Sequence, residues 1–73
     1  MKPQTLMIAV QSVASEIKSL DLLLEAGQVD SETELSLVSY HLALSELKGE
    51  YELALKEFSG FPSYEEILNN IES

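Results

Sequence analysis

The chain has 73 residues, with thirteen Asp and Glu against four Lys, neither Arg nor Cys, and a formal charge of −9. That length makes a single small helical domain, residues 1–73, of a size that buries only about 60% of its unfolded surface, and without cysteine neither a disulfide nor a thiolate zinc site can stabilise it. The acidic surface repels nucleic acid and anionic lipid, and the missing guanidinium removes the bidentate phosphate donor, so the expected partners are proteins: a second copy, a basic protein, or one met through an apolar patch.

Near the start, Lys2 precedes an apolar run from Leu6 to Val10, which Gln11 and Ser12 end before it makes a signal-peptide core. No stretch reaches the roughly 18 apolar residues that span a bilayer. The expectation is a soluble, cytoplasmic protein with no membrane association. Pro3 suits the first turn of a helix, where its missing N–H had no partner. Leu6, Val10, Val13, Ile17, Leu20 and Leu24 then recur at alternating spacings of four and three, which predicts a helix over about residues 4–26, with Gly27 as its left-handed cap.

The tight turn Gly27-Gln28-Val29-Asp30 makes the next helix an antiparallel neighbour. Ser31 with Glu34 forms a capping-box match, with Asp30 as an alternative N-cap, and the carboxylates of Asp30, Glu32 and Glu34 suit the positive helix end. This second helix is predicted over about 31–59, stopped by Gly60 and Pro62. Its seam is Leu37, Tyr40, Leu44, Leu47, Tyr51, Ala54 and Phe58. Paired from the turn, the hairpin sets Leu24 near Leu35 and Leu37, Ile17 near Leu42 and Leu44, Val13 near Leu47 and Leu6 near Ala54, and leaves Phe58 overhanging the first helix.

Ser63 with Glu66 is another capping-box match, and Tyr64, Ile67, Leu68 and Ile71 share one face of a short helix over about 64–71. So short a helix is unstable alone and must dock, with Phe58, Phe61 and Leu6 as its nearest apolar surface. The expected fold class is all-α: an antiparallel two-helix hairpin with a short C-terminal helix, dimerising into a four-helix bundle.

The expectation of a dimer rests on apolar residues that the seams leave unused. Leu35, Val38 and Leu42 lie roughly opposite the seam of the second helix, while Leu22 and Leu23 accompany Leu20 and Leu24 in the first. All five fall toward the turn and are expected to form one protein-binding patch. Tyr40 and Tyr51 occupy seam positions, so both are expected in the core, with a hydroxyl reaching solvent or a carbonyl. His41 lies at the seam's edge as a half-exposed structural residue.

Chemistry-bearing patterns are missing. A lone His builds no metal site or triad, Val38 stands where a Glu-x-x-His pair would need its Glu, and Asp30-x-Glu32-x-Glu34 lacks the glycine of a calcium loop. The reading is a protein with no catalytic, cofactor-binding or metal-binding residues, and with too little chain to enclose a pocket of about 300 Å³. Glu46, Glu50 and Glu57 line one side of the second helix, with Glu52 and Lys56 a favourable pair nearby. The function expected is that of a small acidic interaction module, whether an adaptor, a chaperone-like protein or a self-associating structural protein. The alternative is an acidic inhibitor or nucleic-acid mimic, of the kind carried by phages and mobile elements, whose Glu46, Glu50 and Glu57 block a basic groove on a nucleic-acid-binding protein.

Overall fold

A computed structural model describes residues 2–27 and 30–72, and within them the chain forms α1 (Pro3–Glu25), α2 (Ser31–Glu57) and α3 (Tyr64–Glu72). Of the expected turn, Gln28 and Val29 lie outside the described residues. The helices α1 and α2 form the hairpin, and α3 packs more extensively on α1 than on α2. The molecule measures 43 × 23 × 14 Å, its long axis set by α2.

Local chemistry accounts for most helix boundaries. Pro3 occupies the first turn of α1, and Gly27, at φ +84°, closes its other end by donating its N–H to the Leu24 carbonyl at 3.0 Å. At the start of α2 the cap is Asp30, not the Ser31–Glu34 box: its Oδ1 accepts the Thr33 N–H at 2.7 Å. A charged acceptor makes the stronger capping bond, and that bond holds the Asp30 carboxyl below its ordinary pKa. Ser63 caps α3 as expected, its Oγ accepting the Glu66 N–H at 3.1 Å.

The end of α2 differs from the expected Ser59. Helical geometry stops at Glu57, and Phe58 turns extended while still donating its N–H to the Ala54 carbonyl at 3.0 Å. Gly60, at φ +92°, therefore bends the link to α3 and does not cap α2. Leaving the helix early brings Phe61 onto the core and leaves Phe58, placed on the seam by its spacing, exposed.

At the centre Leu6, Val10, Tyr51 and Ile67 are buried together, one cluster drawn from all three helices. Around it pack Leu44, Leu47, Ala54 and Leu55 of α2 and Tyr64 and Ile71 of α3. Because α3 covers one flank of α1, the buried line there runs Leu6, Val10, Ala14, Ile17, and Val13 is only half-buried. Tyr40, expected in the core, is exposed, although Leu47 and Ala54 on the same side of α2 pack against the central cluster. Tyr51 is 0% exposed, as expected of a seam aromatic, and its hydroxyl donates to the Pro62 carbonyl at 2.6 Å.

Candidate protein-binding surface

Helical periodicity splits the five apolar residues expected to form one patch. Leu37, Leu44 and Tyr51 turn α2 toward α1, so a step of 100° per residue sets Leu35, Val38 and Leu42 about half a turn away, facing outward. They are 68%, 59% and 64% exposed. Gly49 continues the stripe, with open space where a Cβ would stand, and exposed Leu53 ends it. A glycine inside a helix costs roughly 0.5–1 kcal/mol relative to alanine, and nothing in the isolated fold requires one there. Leu22 and Leu23 are exposed on α1 but sit 100° apart, and Leu22 faces the trough between the helices.

That trough is partly filled by α3. Beyond its last turn an open groove of about 470 Å³ remains, lined by Ile17, Leu22, Leu44, Leu68 and Ile71, with Lys18, Asp21, Glu25 and His41 among its polar residues. The volume exceeds what so short a chain was expected to enclose, but the groove is a surface feature open to solvent. Sequence periodicity did not reveal it, although one signal was available: a helix of nine residues cannot cover the face of one of 23.

Two lysines hold α3 in place. Lys18 donates through Nζ to the Ile71 carbonyl at 2.9 Å, and Lys48 Nζ stands 5.6 Å from the centre of the Tyr64 ring. Burial raises the Tyr64 hydroxyl above its ordinary pKa, and the nearby Glu52 carboxylate adds to the effect. The Glu52–Lys56 pair does not close among the described residues.

The third surface is the acidic flank of α2. Glu50 and Glu57 border a notch of about 180 Å³ over Leu6, Leu53, Ala54 and Phe58, and Glu46 lies one turn before Glu50 on the same side. Among the described residues no group of three or more His, Cys, Asp or Glu is placed to hold a metal, and no helix is long and apolar enough to cross a membrane.

These surfaces suit contact with another protein, and comparison with known families agrees. The family described as T6SS, Immune protein Tsi2-like matches residues 1–67, from the start of the chain into α3. The chain belongs to this family. It is 43% identical over 70 residues to the Immune protein Tsi2 of Pseudomonas aeruginosa strain PAO1, covering 93% of this chain and 91% of that protein. No solved structure matches the chain. As a member of an immune-protein family the chain is a non-catalytic protein binder, and the general expectation of a protein partner holds.

Proposed function

We propose that the chain is an immunity protein of a type VI secretion system, which neutralises a toxic effector in the cytoplasm by binding it without chemistry. Family membership carries this reading. The surface supports it: a groove beside α3, an exposed apolar stripe on α2 and a notch bordered by Glu50 and Glu57 offer another protein places to dock. Inhibition here means occupation of the effector's surface, the part of the inhibitor alternative that the family favours. Adaptor and chaperone roles have no comparable support.

Within this reading, the outward face at Leu35, Val38 and Leu42 pairs with a second copy, because an exposed apolar stripe on a helix is stabilised by covering it. The other faces remain available to the effector. A direct test expresses each type VI effector of the source organism in the cytoplasm of a bacterial host, with and without the chain. Growth rescued against one effector, with co-purification of the two proteins, is the expected result. Failure to rescue against every toxic effector would sink the reading.

A further inference from the structure

α3 follows α2 in the chain but packs chiefly on α1, the helix at the other end of the sequence. Its Ile67 is buried with Leu6 and Val10, and Lys18 holds its last turn by donating Nζ to the Ile71 carbonyl at 2.9 Å, across 53 residues of sequence. Nothing in such a contact distinguishes the chain's own trough from that of a second copy. Docked on a partner, α3 would recover the same burial, the Tyr51–Pro62 hydrogen bond and the Lys48–Tyr64 contact. The two forms then differ in the link and in the entropy of bringing two chains together.

The link permits both. Phe61 packs on the core and the Tyr51 hydroxyl holds the Pro62 carbonyl, so any pivot lies between the end of α2 at Glu57 and Phe61. Phe58 is already extended, at φ −124° and ψ 137°, and the reversal comes at Gly60, at φ +92°. Phe58, Ser59 and Gly60 are exposed, and beyond its chain neighbours nothing lies within 4 Å of where a Gly60 Cβ would stand. Packing does not hold this turn. Glycine takes positive and negative φ about equally readily, so rotation at one residue converts the return into an extended lead. Residues 57–61 then reach about 13 Å, close to the 14 Å thickness of the molecule. So short a reach requires the receiving copy to lie against the donor, which favours a closed reciprocal pair over an open chain.

We infer that the trough under α3 also receives the α3 of a second copy, each protomer placing its Ile67 beside Leu6 and Val10 of the other, with Gly60 as the pivot. The closed form is favoured in dilute solution, because a short tether holds α3 at an effective concentration on the order of millimolar. Exchange grows when chains fold together near that concentration. It is distinct from contact through the outward face of α2 and does not depend on the immunity reading.

Because the chain has no cysteine, single cysteines can report exchange. Lys18→Cys and Ile71→Cys proteins, whose altered residues meet in the fold, are mixed, unfolded in urea and refolded together at about 1 mM. A bismaleimide long enough to close the doubly substituted chain on itself is added, and a denaturing gel separates linked dimers from monomers. As the control, Ile8→Cys replaces Lys18→Cys; this residue is exposed, about 160° round α1 from Val10.

The Lys18/Ile71 pair is expected to give at least about tenfold more linked heterodimer than the Ile8/Ile71 pair. Gly60→Ala, disfavoured at φ +92°, should raise the ratio of linked to unlinked chains at least about fivefold. Linking should persist when both proteins also carry Leu42→Glu. Equal yields from the two pairs would mean collision alone and would overturn the inference, as would no linked dimer after joint refolding. A yield that Gly60→Ala left unchanged or lowered would remove the pivot and the exchange with it. Linking that vanished with Leu42→Glu would come from copies held through α2 and would equally overturn it.

Discussion

Tyr51 is the residue on which the docking of α3 turns. It fills the centre of the core with a large ring, and its hydroxyl ties α2 to the Pro62 carbonyl just before α3 begins. Burial raises its pKa above the ordinary tyrosine value, and the Glu66 carboxylate raises it further. The folded state therefore holds this proton more tightly than the unfolded chain does. Its contribution is complete below the unfolded value of about 10 and is lost as pH rises through the folded one. Tyr51→Phe keeps the ring but leaves the carbonyl without its donor, so it should cost about 0.5–1.5 kcal/mol at pH 7. Urea unfolding at pH 7 and above pH 10 is the check: the wild type should lose stability in alkali, and the gap to the variant should narrow. A gap unchanged between the two pH values would assign the alkaline loss to other groups.

At the scale of the element, α3 cannot stand alone at nine residues, so its order is borrowed from the hairpin. Among the described side chains of α3, Ile67 alone is fully buried. Ile67→Ala should cost about 2–5 kcal/mol, and α3 amides should lose hydrogen-exchange protection before those at the centres of α1 and α2. Loss of protection in all three helices together would mean that α3 is integral to one cooperative unit. The same element marks how far the sequence was legible. Caps and stops at Pro3, Gly27 and Ser63 depend on neighbouring residues and could be read directly. Which side of a seam is buried depends on what lies across it, and α3 arrives from far along the chain. Val13 was therefore placed in the core by a period that cannot sense a covering helix on one flank only. Leu35, Val38 and Leu42 were legible because an apolar face opposite a seam is visible in the period itself. The groove at Asp21 and Glu25 was not, since its lining comes from all three helices, far apart along the chain.

For the whole molecule, the balance lies between a large net charge and an uncovered apolar stripe. Two copies brought together would set −9 against −9, a repulsion that salt screens over about 8–10 Å. Burial of Leu35, Val38 and Leu42 across a symmetric α2–α2 contact is insensitive to that screening, and Gly49 on the same stripe would let the two backbones approach. The opposing dependences give the oligomeric state a signature: association through this face should persist, or tighten, as salt rises. Light scattering after size exclusion, at low and high salt, should show a wild-type dimer. Leu42→Glu places a carboxylate in the middle of the stripe and should yield a monomer at either salt concentration with its helix content unchanged. The Asp21→Lys, Glu25→Lys protein should stay dimeric, since its substitutions lie on the other face. If Leu42→Glu left the mass unaltered, the outward face of α2 would not be the contact between copies. If the Asp21/Glu25 variant alone became monomeric, the groove and not the α2 stripe would hold the second chain.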